Sequence, residues 1–346
     1  MTKTVKVLVV DDSAFAMASI IRKLQLDPEI EVIGSARNGK EALEKTMNLS
    51  PDVITMDVVM PEMDGLSALE HIMTECPTPV VMLSALTSEN AEATIRALEL
   101  GAVDFFLKPS VVMPAGDAGI LLEKIKGAAR ARLHLKRQVT GESRIDCTTV
   151  NTRKKKTDKE KIIVIGSSTG GPRALMQLIP ALPPELPAGI VVIQHMPPLF
   201  TKSLAERLNQ ASKIGVAEAR EGDSVWGGKI LLAPGDFHMT LNNNGKVSLN
   251  QGPRLHGIRP SVDVTMKSAA SIFRDSTLGI ILTGMGSDGT DGAASIKAAG
   301  GKVIAEDEST CIVYGMPQSV ARAGYADKIL PLQEIAPELS VMCMPN

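Results

Sequence analysis

Short apolar runs alternate along the chain with longer stretches in which apolar residues recur every three or four positions. In the first part the runs fall at residues 5–10, 31–35, 53–56, 79–83 and 104–107. Helical spacing fills the gaps at 14–26, 40–49, 66–74 and 90–100, and an amphipathic segment at 120–135 closes this part. Such alternation predicts a parallel sheet with helices on both faces. From 137 to 161 the periodicity fades into Thr, Ser, Asp and Asn around the basic run Arg153-Lys154-Lys155-Lys156, which reads as a solvated linker. The pattern resumes with runs at 162–165, 189–194, 229–233, 246–249, 278–282, 302–305 and 328–330, and helical stretches at 173–181, 201–210, 261–273 and 293–299. This predicts a second α/β unit with a mostly parallel sheet.

A length of 346 residues suits two domains. Net charge is −2 and aromatic residues are 3% of the chain, so neither a basic surface for nucleic acid nor a stacking platform is expected. The absence of a short basic helix-turn-helix unit also speaks against a DNA-binding regulator. Cys76, Cys147, Cys311 and Cys343 are widely spaced, which fits a reducing cytosol and argues against disulfides or a thiolate metal site. The opening apolar run meets Asp11 and Asp12 at once, unlike a signal peptide. No apolar stretch approaches the roughly 18 residues that span a bilayer. The expectation is a cytoplasmic protein without membrane insertion.

Sites in open α/β sheets lie beyond the carboxyl ends of the strands. In the first part those positions hold Asp11 and Asp12, Asp57, Ser84 and Lys108. Converging carboxylates repel unless a cation joins them, and oxygen ligands suit Mg²⁺. A metal beside Asp57 would offset charge on a transferred phosphoryl group, with Lys108 and Ser84 adding a cation and a hydroxyl. Taken singly, Asp12 or Ser13 reads equally well as a helix cap, and Asp57 as the start of a turn before Pro61 and Gly65.

The acidic pair, Met56-Asp57-Val58-Val59-Met60-Pro61-Glu62-Met63-Asp64-Gly65, Ser84-Ala85 and Lys108-Pro109 together resemble a response-regulator receiver domain. The resemblance implies a flavodoxin-like (CheY-like) fold. It also implies phosphorylation of Asp57 by a histidine kinase, with Mg²⁺ held by Asp11, Asp12 and Asp57. Phe105 falls where that family carries a switch aromatic, often tyrosine, and here it lacks the hydroxyl.

In the second part the apolar run 162–165 leads into Gly166-Ser167-Ser168-Thr169-Gly170-Gly171, and Pro172 opens a helix. This matches G-x-S-x-G, a turn that exposes a serine beside backbone N–H donors. The same turn can instead cradle a phosphate at a helix N-terminus. A serine nucleophile needs a base, usually histidine oriented by a carboxylate. His195 follows the run 189–194 and precedes Met196-Pro197-Pro198, so it projects from a strand end. His238, in Ala233-Pro234-Gly235-Asp236-Phe237-His238, is the rival base. The carboxylate candidate is Asp288 in Thr283-Gly284-Met285-Gly286-Ser287-Asp288-Gly289, whose glycines let backbone approach a substrate. The spacing of a calcium-binding loop is missing there.

The segments 166–171, Gln194-His195-Met196-Pro197, Ala233-Pro234-Gly235, Arg259-Pro260-Ser261-Val262-Asp263 and 283–289 are similar to the chemotaxis protein-glutamate methylesterase (CheB) family. The order of receiver, linker and esterase matches too. The resemblance implies a receiver at 1–125, a linker at 126–160 and a Rossmann-like, doubly wound catalytic domain at 161–346. It assigns the triad to Ser168, His195 and Asp288 and an oxyanion donor to the Met285 backbone N–H. It implies no cofactor for the esterase reaction. The implied activity is hydrolysis of glutamate methyl esters, and deamidation of glutamines, on methyl-accepting chemotaxis receptors, with the kinase CheA as phosphodonor. Ser167 departs from the family's alanine and adds a second hydroxyl beside the nucleophile. The order Ser, His, Asp also differs from the Ser, Asp, His of α/β-hydrolases, so that fold is not expected.

Overall fold

The structure, a computed structural model, describes residues 4–108, 115–131, 161–226 and 228–343. The basic run at 153–156, His134, Cys147 and Pro109 lie outside the described residues. The first part runs β1 (Val5–Val10), α1 (Ala14–Leu24), β2 (Ile30–Ala36), α2 (Gly39–Leu49), β3 (Val53–Asp57), α3 (Gly65–Glu75), β4 (Val80–Ser84), α4 (Ser88–Leu100), β5 (Asp104–Leu107) and α5 (Ala115–Ala129). Its helices begin where a side-chain oxygen serves the otherwise unpaired N–H groups. Ser13 accepts from Ala16 N, Asn38 from Glu41 N, Asp64 from Ser67 N and Thr87 from Asn90 N. The strands order as β2-β1-β3-β4-β5, all parallel. Connections leave β1 in one direction and return to its other side at β3, so the carboxyl ends of β1 and β3 flank the crevice where ligands bind in such sheets. β3 and β4 are buried throughout, which explains their unbroken apolar sequence.

The second part runs β6 (Lys161–Ser167), α6 (Gly171–Ala181), β7 (Ala188–Gln194), α7 (Phe200–Ala211), β8 (Gly215–Glu218), β9 (Lys229–Leu232), β10 (His238–Leu241), β11 (Val247–Asn250), α8 (Val262–Phe273), β12 (Thr277–Ile281), α9 (Thr290–Ala298), β13 (Lys302–Glu306), α10 (Met316–Arg322), β14 (Lys328–Leu330) and α11 (Leu332–Cys343). Seven strands order as β14-β13-β12-β6-β7-β9-β8, and every pairing is parallel. The doubly wound expectation holds, with its switch point between β6 and β12. The run at 246–249 forms a strand, but it pairs antiparallel with β10 in a ribbon outside the main sheet. Periodicity did not reveal β8, β10, α10 or α11. The two strands span only four residues each, α10 spans seven, and α11 carries Pro337 inside it, which interrupts a helical pattern.

The two α/β units meet along α4, β5 and α5 of the first. α4 packs on α7 and α6. The Phe105 ring stacks on Phe200 with centroids 4.5 Å apart and planes 12° apart. Glu99 receives two hydrogen bonds from Arg207, at 2.6 and 3.0 Å. Both aromatic rings are buried, so one apolar cluster continues from the first unit into the second. Among the described residues no helix is long and apolar enough to cross a membrane.

Candidate active site

Three loops converge at the switch point of the second sheet. The first leaves β6. Ser167 ends the strand and Ser168 starts the turn, with Ser168 N donating to Thr283 O at 3.0 Å. Gly170 caps α6 with a φ of 78°, a left-handed conformation that suits glycine. Ser167, the second hydroxyl of the motif, is fully buried and donates to Gln194 Oε1 at 2.7 Å. It faces the sheet rather than the crevice, whereas Ser168 is only half-buried. Gln194 in turn donates from Nε2 to Ser168 O at 2.9 Å and so clamps the turn.

The second loop leaves β7 and carries His195, whose N–H donates to Ser167 O at 3.2 Å. Its ring Nε2 lies 2.8 Å from Asp288 Oδ2. The rival, His238, sits in β10, 3% exposed, with Nε2 on Pro253 O at 3.0 Å. It belongs to the antiparallel ribbon, and among the described residues its ring has no hydrogen bond to the serine turn.

The third loop follows β12. Asp288 receives hydrogen bonds from Ser261 Oγ at 2.8 Å, Val262 N at 2.6 Å and Asp263 N at 3.0 Å, beyond the one shared with His195. Burial opposes ionisation of this carboxyl. His195 and the N–H groups at the start of α8 outweigh that cost and hold it well below the usual carboxylate range. A negative charge at the N-terminus of α8 also meets the helix dipole favourably. The same loop lays Gly284 against Ser168. A side chain at that position would put its Cβ 2.7 Å from Ser168 Cβ and 3.1 Å from Ser168 N. Gly284 N–H is committed to Val313 O, while the next one, Met285 N–H, has no intramolecular acceptor among the described residues. Below the loop, the buried Glu306 accepts from Thr283 N at 2.8 Å and from Thr310 Oγ1 at 2.9 Å, fixing the start of the turn.

The first unit covers this site. Thr169, beside Ser168, donates its hydroxyl to Asp104 of β5, which also receives Lys124 Nζ at 2.7 Å. Gly127 on α5 is packed so closely on Met285 that an added Cβ would lie 2.5 Å from Met285 Sδ.

In the first sheet, Asp11, Asp12 and Asp57 present oxygens within 4.8 Å of one another. Lys108 Nζ bridges Asp11 at 2.7 Å and Asp57 at 2.6 Å. Burial raises the Asp57 carboxyl and the Asp11 charge adds to this, against the pull of Lys108. Three hard oxygen donors facing one lysine leave negative charge unbalanced, which is the donor set that Mg²⁺ takes. Ser84 is fully buried, and its hydroxyl accepts from Thr94 Oγ1 at 2.9 Å. Ser13, as its position suggests, is the cap of α1.

The sequence reading did not single out Thr169, Gln194, Ser261, Glu306 or Asp104 as site residues. Ser261 and Asp263 lie in a segment quoted for its similarity alone. The Asp104 to Thr169 contact joins positions 65 residues apart across two units and leaves no local signal.

Comparison with known proteins gives the family of both units. Residues 163–339 match the CheB methylesterase family model, and residues 7–113 match the response regulator receiver domain model. A protein-glutamate methylesterase/protein-glutamine glutaminase of Symbiobacterium thermophilum is 47% identical over 353 residues, covering 96% of each chain. The protein of the same name in Thermotoga maritima is 47% identical, covering 97% of this chain and 98% of its own. The crystal structure of the Thermotoga maritima CheB methylesterase catalytic domain aligns at 52% identity with a TM-score of 0.52, over 53% of this chain and 99% of that one. A receiver domain joined to a catalytic domain with three loops meeting at its switch point therefore belongs to the CheB methylesterase family.

Proposed function

We propose that the chain is a phosphorylation-gated serine esterase that demethylates glutamate methyl esters on methyl-accepting chemotaxis receptors in the cytoplasm. The observation that carries this reading is the convergence of Ser168, the bonded pair His195–Asp288 and the uncommitted Met285 N–H at one switch point. With Nε2 on Asp288, Nδ1 is the ring nitrogen left to take the Ser168 proton. The serine oxygen bonds to the ester carbonyl carbon, and charge gathers on the carbonyl oxygen beside Met285 N–H. Collapse of this intermediate expels methanol, which carries off the proton held by His195. Water then attacks the acyl-enzyme by the same route in reverse and releases the glutamate carboxylate. A glutamine amide presents the same acyl carbon with a poorer leaving group. The names of the relatives from Symbiobacterium thermophilum and Thermotoga maritima include both activities, which supports deamidation as the second reaction.

Regulation follows from what covers the site. Asp104, Phe105 and Gly127 of the receiver touch Thr169, Phe200 and Met285, next to the nucleophile and the oxyanion donor. In our reading this docked form excludes a receptor helix. A phosphoryl group on Asp57, transferred from the histidine kinase CheA, favours a form in which the domains separate. Asp11, Asp12 and Asp57 would hold Mg²⁺, which neutralises charge on the transferred phosphoryl group. The test is methanol release from methylated receptors by wild type, Ser168→Ala and Asp57→Ala, with and without a small-molecule phosphodonor. The reading requires an inactive Ser168→Ala, a stimulated wild type and an Asp57→Ala indifferent to the phosphodonor. Turnover by Ser168→Ala at the wild-type rate refutes it.

A further inference from the structure

Asp288 does not stand alone behind His195. The carboxylate of Asp263 lies beside it, 3% exposed, in the first turn of α8. The two acids hold each other's helices. Asp288 takes the N–H groups of Val262 and Asp263 at the start of α8. Asp263 Oδ1 takes Gly289 N at 2.9 Å and Gly292 N at 2.7 Å at the start of α9. Gly289 directly follows Asp288, so Asp263 grips the loop that carries it. The close approach of α8 and α9 depends on Gly292, where an added Cβ would lie 2.5 Å from Met266 Cβ and 3.2 Å from Asp263 Cα.

We propose that Asp263 is a positioning residue of the triad: it fixes the Asp288 carboxylate through these paired helix starts, and its charge backs the positive charge that His195 gains on taking the serine proton. This rests on the triad assigned under the proposed function. The groups facing Asp263 are few. Asp288 comes from the β12–α9 loop, with His195 of the β7 loop beyond it. Lys267 lies one turn on in α8 and is paired with Asp291 of α9 at 3.0 Å. Burial raises the Asp263 carboxyl, and the Asp288 charge adds to this against the pull of the Gly292 N–H, bringing it up to about 6. Above that pH Asp263 adds a second buried negative charge behind Asp288, on the side away from the serine turn's proton transfer to His195.

The test compares kcat and KM against pH for methyl ester hydrolysis by the phosphodonor-treated full chain. The variants are Asp263→Asn, Asp263→Ala and Ser168→Ala. Asparagine keeps a carbonyl for Gly289 and Gly292 and replaces the charged carboxylate with a neutral amide. Its expected signature is an unchanged KM and an acid limb moved to lower pH by about half a unit or more. Asp263→Ala also removes the acceptor, and its kcat is expected to fall at least roughly tenfold below that of Asp263→Asn. An acid limb of Asp263→Asn at or above the wild-type position overturns the proposal, whether or not Asp263→Ala folds. An active Ser168→Ala would instead overturn the triad on which it rests, and the two failures are read from different variants.

Discussion

Replacing Gly127 by leucine sets two effects against each other. Within α5, leucine is a better helix former than glycine, by somewhat less than the roughly 0.8–1 kcal/mol that separates glycine from alanine, so helix propensity does not weaken the receiver. In the docked molecule the first added carbon would already lie 2.5 Å from Met285 Sδ, and the rest of the side chain has to displace that thioether. Overpacking of this kind costs about 1–3 kcal/mol. Methionine is flexible, so the lower half of that range applies. A cost of about 1–2 kcal/mol that falls on the docked form alone raises the ratio of open to docked molecules about 5- to 30-fold. The assay is the initial rate of methanol release from methylated receptors without phosphodonor. Gly127→Leu is expected to raise this basal rate by up to that factor, bounded by the fully open form, while the phosphodonor-saturated rate stays at the wild-type value. The sign matters more than the size, because a change that merely damages the chain lowers both rates. A basal rate unchanged from wild type, with full stimulation retained, refutes the docking account.

Other consequences follow from the same geometry. Gly284→Ala would bring a Cβ to 2.7 Å from Ser168 Cβ. Its kcat is expected to fall by about 10²-fold, the size of losing an oxyanion donor, with KM little changed in steady-state kinetics. Ser167→Ala removes a buried hydroxyl that serves Gln194 rather than substrate, so kcat is expected to stay within a few-fold of wild type and the loss to show as about 1 kcal/mol of stability. The Asp263 carboxyl stands at about 6 in the folded chain against 3.8 ordinarily. Between those values the folded state binds more protons than the unfolded one, so stability falls as pH rises through the window. Chemical denaturation of the catalytic domain at pH 4 and pH 7 should show wild type losing up to roughly 3 kcal/mol more than Asp263→Asn.

Much of this architecture was legible from residue patterns. The central strands of both sheets announce themselves as apolar runs because parallel strands there are buried on both faces, whereas the edge strand β8 does not. The carboxyl ends of strands also point to the candidate sites, since Asp11, Asp57, Ser168 and His195 lie at or just beyond such an end and Asp288 lies in the loop after β12. Features set by packing between distant segments were not legible. The strand at 246–249 looks like any sheet strand, and only the observed pairing assigns it to a separate ribbon. His238 resembles a strand-end histidine until its bond to Pro253 O is seen. The G-x-S-x-G register singles out Ser168 from its neighbour Ser167, but the bond that buries Ser167 on Gln194 is seen only in the fold. The two carboxylates that hold each other's helices, and the receiver's grip on Thr169 and Met285, join segments with no shared periodicity.

Labelling by a fluorophosphonate, mapped to its residue by peptide mass spectrometry, tests the gated nucleophile most directly. The account predicts modification at Ser168 and none in Ser168→Ala. It also predicts a rate that rises with phosphodonor in wild type and stays flat in Asp57→Ala. A label carried by another residue, or a Ser168 rate indifferent to the phosphodonor in wild type, contradicts it.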